Sequence, residues 1–374
     1  MKLSLVQLRS AIATYVAENK ISVDTFSVTR DNTVGLLDAI GKIYTIPSNY
    51  VDKLEMFNGE DLSFGKTIEE WKSDLILVED FDASGAGALS PHVSTYRPVS
   101  FSFTLGRKKI PQTIRNNDIE RAVHNEGQFV DIIADKYKAM TDSEVVFKYQ
   151  MKRQALGVLC ARCEAEMDAS TATAWTDANH DVGGIYKNGV DGTATYILVK
   201  PYSAGDASNF ANAVEKGFLI ELDLVTELAK PVDTSTGEAF VKQVKNDVEK
   251  ASDVSEGHSL NGNTLGVTPT EGLVLILSQG IASVIDVDVL AGAFHTDKVA
   301  LPAKQVVIRD FGNADGDIYA ILMDARGMRL HNTYRAVREN VNGDGDFLNL
   351  FAHSEWTAHV SRNTFVKVYK APQE

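Results

Sequence analysis

Apolar positions with helical spacing open the chain. Leu5, Leu8, Ile12, Tyr15 and Val16 fall on one face and predict an amphipathic helix over residues 3–19. A polar connection follows, then apolar stretches at 34–40 and 44–56. This N-terminal stretch holds too few large apolar groups to fold alone, so it predicts an arm that packs on something else. Residues 61–167 then read as a long extended excursion, a basic arm and two helices. The excursion's strands are 75–78 and 99–105. The second alternates apolar and polar residues cleanly, as a half-buried strand does. Its tip, 83–88, is built of small residues, and Pro111 closes its root.

Asn117 and Asp118 cap a predicted helix to about 138, with Asp118 and Glu120 where the helix dipole favours acids. Thr141-Asp142-Ser143-Glu144 has the capping-box pattern. It predicts the start of the longest helix, 142–168, about 37 Å at 1.5 Å per residue. Tyr149, Leu156, Cys160, Cys163 and Met167 mark its buried stripe. Residues 207–229 and 236–252 predict two more helices, punctuated by Pro231 and Gly237. Strands are predicted at 194–199, 273–277, 306–308, 318–323, 350–360 and 364–369, with a helix at 285–294. There is no internal repeat. The fold class is α+β.

The chain of 374 residues is 44% apolar and 24% charged, an ordinary globular composition. Its net charge of −14 excludes wrapping nucleic acid by bulk attraction. Two cysteines, Cys160 and Cys163, allow no disulfide framework and point to a reducing compartment. Gln7 and Arg9 interrupt the first apolar run before it reaches signal-peptide length. No apolar run is long enough to span a membrane.

The charge is unevenly placed. Residues 69–82 carry Glu69, Glu70, Asp74, Glu79, Asp80 and Asp82 against Lys72, a net of −5. Residues 106–115 carry Arg107, Lys108, Lys109 and Arg115 with no acid, a net of +4. A lone two-stranded ribbon is marginal in water. One that is acidic on a limb and basic at its root needs an opposite surface, which identical copies supply to each other. A second basic block, Arg326, Arg329, Arg335 and Arg338 with His331 and no acid, predicts a patch facing a neighbouring subunit or DNA.

This order of parts, with the segments 321–331 and 351–355, resembles the major capsid proteins of tailed bacteriophages. These have the HK97 fold, and the nearest in character are the small podovirus proteins of the phi29-like group. The resemblance implies an N-terminal arm (1–55), an extended loop or E-loop (56–113) and a peripheral domain (114–194) with a spine helix at 142–168. An axial domain (195–310) and a return to the peripheral domain (311–374) follow. It implies pentamers and hexamers of the chain itself, portal and scaffolding proteins as partners, and double-stranded DNA packaged without sequence preference. It places the protein in the virion, and in host cytoplasm during assembly. In a departure from the phi29-type pattern, no added immunoglobulin-like surface domain is expected after Tyr369. An encapsulin-like compartment shares the architecture, and an unrelated α/β enzyme is the remaining alternative.

No enzyme site can be assembled. Cys160-Ala161-Arg162-Cys163 puts both thiols on one helix face, but zinc would need two more ligands. Residues 340–346 start like a calcium loop, with Asp344 and Asp346, yet the twelfth position is Phe351 rather than glutamate. Asn313, Asp315 and Asp317 repeat the idea and lack the glycine. Both read as polar turns. His353 and His359 share a strand face without the glutamate of a metalloprotease helix. Glu69-Glu70 and Glu79-Asp80 point to opposite strand faces and form no acid/base pair. GxSxG, Walker and GxGxxG motifs are absent. Neither a cofactor nor catalysis is expected. A Lys–Asn crosslink between Lys66 or Lys72 and Asn342 or Asn349 is disfavoured.

Overall fold

The structure, a computed structural model, describes residues 50–62, 65, 67–73, 96–100, 102–115, 126–176, 184–189, 192, 194–198, 202, 206–255, 266–285, 303–312 and 317–372. The described strands run in chain order from β1 (Asn58–Asp61), β2 (Glu69–Ser73), β3 (Tyr96–Ser100) and β4 (Ser102–Arg115) to β5 (Thr173–Ala174), β6 (Ile185–Lys187), β7 (Thr195–Leu198) and β8 (Leu219–Glu221). They continue through β9 (Val225–Glu227), β10 (Leu273–Ser278), β11 (Lys304–Ile308), β12 (Ile318–Asp324), β13 (Met328–Asn342), β14 (Phe347–Val360) and β15 (Val366–Lys370). The helices are α1 (Glu126–Met167), α2 (Phe210–Glu215), α3 (Thr234–Ser252) and the single turn α4 (Ile281–Val284).

A five-stranded sheet, ordered β11-β10-β12-β15-β9, has its three inner strands buried on both faces. Strand alternation decides which residue meets which helix. Val274, Ile276, Ile321, Met323, Val366 and Val368 pack with Leu156, Leu159, Cys160 and Cys163 of α1. Leu273, Leu275, Leu277, Ala320, Leu322 and Tyr369 pack with Phe240, Val244 and Val248 of α3. Burial on both sides is why β10 and β12 read as unbroken apolar runs rather than alternating ones. Helix α3 starts on a full capping box. The Asp233 carboxylate accepts from Thr236 N, and the Thr236 side chain accepts from Asp233 N.

The two helices expected at 117–138 and 142–168 are one. α1 has 42 residues, about 63 Å at 1.5 Å per residue. The Thr-x-x-Glu pattern does not cap because buried Ala134, Tyr137, Met140 and Glu144 carry a helical stripe straight through it. The hydroxyls instead bond back along the helix, Thr141 to Tyr137 O and Ser143 to Ala139 O. The helix expected at 207–229 survives only as α2. Gly217, at φ 72°, turns the chain out of it, and two short strands follow. The helix at 3–19, the strand at 75–78, the cap at Asn117-Asp118, most of the 285–294 helix, and Asn313 and Asp315 lie outside the described residues.

The second large sheet, β1-β13-β14-β4, is dominated by the β13–β14 hairpin. Leu330, Trp356 and Ala358 on one face meet Phe147 and Met151 of α1, with the Phe147 and Trp356 rings 5.1 Å apart. The basic arm after the ribbon is β4, paired along β14, and Pro111 lies within it opposite Phe351. Proline is tolerated there because β4 is an edge strand, where a missing N–H breaks no ladder. At the opposite edge β1 lies so close to β13 that a Cβ on Gly59 would come 2.4 Å from the His331 ring. Two smaller sheets, β2-β3 and β5-β6-β7-β8, complete the described architecture.

Candidate assembly surfaces

The ribbon foot is β2 paired antiparallel with β3, from Glu69↔Ser100 to Ser73↔Tyr96. Alternation turns Glu69 and Trp71 outward and Glu70 inward. Glu70 reaches the end of β14, where Ser361 Oγ donates to its Oε1 at 2.7 Å and His359 Nε2 lies 3.5 Å from its Oε2. Burial would raise the Glu70 pKa, but the hydrogen bond from Ser361 and the polar side chains of His359 and Asn363 beside it outweigh that and hold the carboxyl below its usual value.

A carboxyl with a lowered folded pKa stabilises above its unfolded value and loses that contribution as pH falls through the folded one. Docking of the foot should therefore be fully developed above about pH 4.5 and fade below it. Hydrogen exchange of the Ile68 and Trp71 amides between pH 3 and 6 measures this. Glu70→Gln should exchange faster than wild type at the upper end and match it at the lower. Parallel curves would disprove the linkage.

The segment entering the ribbon is fixed to α1 by Lys152, whose side chain is 1% exposed. Its ammonium donates to Asp52 Oδ2 at 2.5 Å, to Leu54 O at 3.1 Å and to Asn58 Oδ1, using all three protons. Burial lowers its pKa and the Asp52 carboxylate opposes that fall. The next residue, Arg153, holds Asp310. Sequence periodicity passed over both, although positions 152 and 153 fall in the six-residue gap in the stripe between Tyr149 and Leu156. That gap was the available signal. At the far end of α1, Arg362 pairs with Glu166, and Lys370 with Glu164 at 2.8 Å.

The predicted basic residues divide by strand face. The pairings Arg115↔Phe347, Lys109↔His353 and Phe351↔Arg338 put Arg115, Lys109 and Arg338 on the face turned away from α1. Arg107 joins them, 4.0 Å over the Tyr334 ring and 3.7 Å from Glu355. Lys108, opposite Ser354, projects to the other face. All five are exposed.

The block 326–338 is thus not one patch. Arg326 clasps the buried Asp324, Nη2 to Oδ2 at 2.8 Å. Arg329 caps the carbonyls of Met56 and Met328, each at 3.1 Å. Arg335 reaches Glu144 of α1 at 2.9 Å. Three of the four guanidinium groups serve contacts inside the subunit. Glu69 is exposed on the ribbon foot. Asp74, Glu79, Asp80 and Asp82 lie outside the described residues.

The candidate metal and redox motifs take structural places. Residues 343–346 form the turn between β13 and β14, and Asn342 Oδ1 accepts from the amides of Asp344 and Gly345, both at 3.0 Å. Asn349 accepts from Thr113 Oγ1 at 2.8 Å. Cys160 and Cys163 are reduced and buried in the core of α1, and burial pushes the Cys163 thiol up to about 12. Among the described residues no three His, Cys, Asp or Glu side chains gather as a metal site. No described helix is long and apolar enough to cross a membrane.

A family model described as Phi29-like phage major capsid protein matches residues 7–366. No curated protein sequence matches at a significant level. Among solved structures, the chain is similar to one from the capsid structure of Staphylococcus phage Andhra. The two share 9% identity over 87% of this chain and 85% of that one, with a TM-score of 0.54. It is also similar to a chain in a structure titled for the head fiber and inner core protein of native bacteriophage P68, at 10% identity over 86% and 85% of the chains, with a TM-score of 0.52. These two likenesses speak to the fold, which is that of HK97-like capsid proteins.

Proposed function

The chain belongs to the Phi29-like phage major capsid protein family, and on that premise we propose that its acidic ribbon limb closes the shell by lying across the basic sheet face of the next copy. The shell-forming role is structural and the protein is a component of the virion. Glu69, Asp74, Glu79, Asp80 and Asp82 supply the negative side, while Glu70, expected from the sequence to join them, is turned inward and anchors the foot within its own subunit. Arg107, Lys109, Arg115 and Arg338 supply the positive side. The observation that carries this reading is their arrangement on one sheet face, facing away from α1. Oppositely charged patches steer association and fix register more than they add raw affinity.

Pentamers and hexamers of this contact build the head, and assembly proceeds in host cytoplasm with portal and scaffolding proteins. Packaged DNA is held weakly and without sequence preference by cations of the inner surface. The arm (1–55), extended loop (56–113), peripheral domain (114–194 and 311–374) and axial domain (195–310) are the proposed divisions.

Reversing Arg107, Lys109 and Arg338 to glutamate should raise the concentration needed for particles and flatten its dependence on salt between 50 and 500 mM. Sedimentation and negative-stain microscopy read both. Unchanged assembly with unchanged salt dependence would remove the charge pairing.

A further inference from the structure

One carboxylate oxygen of α1 meets no donor among the described residues. Asp142 is 9% exposed, and its Oδ1 is buried with no hydrogen-bond partner. It lines a cleft of about 520 Å³ with Ala139, Val146, Phe147 and Gln150, and with Tyr50 at the rim. The neighbouring cations Lys148 and Arg335 are both taken by Glu144, each at 2.9 Å. A buried carboxylate oxygen without a donor carries a desolvation penalty that a single chain has no reason to keep. The cleft's apolar walls with an anion at one side match a long aliphatic stem ending in a cation.

We propose that this cleft is a contact site for a second copy, whose Lys108 enters it and donates to Asp142. Charge complementarity calls for a cation, and the basic arm β4 supplies one that its outer face does not use. Strand alternation separates Lys108 from the outer face of Arg107, Lys109 and Arg115, leaving it exposed on the edge strand β4 with no part in that face. A contact between two different patches of identical chains repeats from copy to copy, as a closed ring requires. The proposal rests on the self-assembly reading above but adds a second contact on a different side of the sheet.

The test uses full-length subunits and two readouts, the particle-forming concentration and the melting temperature of the unassembled subunit. Asp142→Asn should raise the first by about tenfold, the effect of losing one interfacial ion pair, and leave the second equal or higher. A residue serving its own subunit would lower the melting temperature. Lys108→Asp should impair assembly similarly, and Asp142→Lys combined with Lys108→Asp should recover most of it. Wild-type assembly by Asp142→Asn, a drop in its melting temperature, or no recovery in the swapped pair would each overturn the proposal. A wild-type chain that forms no particles would remove the self-assembly reading and this contact with it. Loss confined to charge reversal of Arg107, Lys109 and Arg338 would leave the first contact standing and this one refuted.

Discussion

A subunit in which residues 74–95 are replaced by an Asn-Gly turn should fold, stay soluble and form no particles. Ser73 and Tyr96 are cross-strand partners at the end of the described foot, so a two-residue type I′ turn can join them without disturbing the pairs behind. The foot keeps its own fastenings, Glu70 on Ser361 and the Ile68 amide on Ser102 Oγ. What goes is Asp74, Glu79, Asp80 and Asp82, four of the six acids of the limb. A shell engages many weak contacts at once, so removing one type from every subunit multiplies its effect. The melting temperature should stay within a few degrees of wild type, while sedimentation shows only small species. Regular particles from this variant would show that the ribbon does not join the subunits.

Lys152→Met should cost about 3–5 kcal/mol of subunit stability, the range for removing one member of a buried ion pair. The ammonium is enclosed, and its loss strands a carboxylate, a carbonyl and an amide oxygen that it satisfied together. Methionine fills the space, so little of the loss comes from a cavity. A second substitution separates the charge effect from the shape effect. Lys152→Met with Asp52→Asn should recover part of the stability, because no uncompensated carboxylate then remains. Denaturant midpoints at constant slope measure both. A single variant within about 1 kcal/mol of wild type would mean that water replaces the ammonium easily.

Much of this fold is written in local pattern. β10 and β12 are continuous apolar runs because helices cover both their faces, and the turn after Asn342 announces itself by its Asn, Gly and Asp residues. The cysteine pair reads correctly as packing, since both side chains are buried in the apolar core beneath the five-stranded sheet. The misreadings share a cause. Thr141-Asp142-Ser143-Glu144 has a cap's composition, and only the buried residues on either side of it keep the helix going. Lys152 is invisible as an anchor because its acceptors lie 94, 98 and 100 residues earlier in the chain. The arginines of 326–338 looked like one block because no strand was recognised there. Once β13 exists, Arg335 and Arg338, three apart, must point to opposite faces.

Strand β4, 14 residues long, is an edge strand among the described residues, with alternate backbone N–H and C=O groups turned away from β14. A flat, uncharged strand in that place would recruit further strands without limit, and copies of the chain would run to fibres. Pro111 removes a donor midway along it, and the neighbouring cations repel any identical strand drawn alongside. Growth by backbone pairing is thereby discouraged, and copies must meet through side chains whose geometry can bring a curved surface back upon itself.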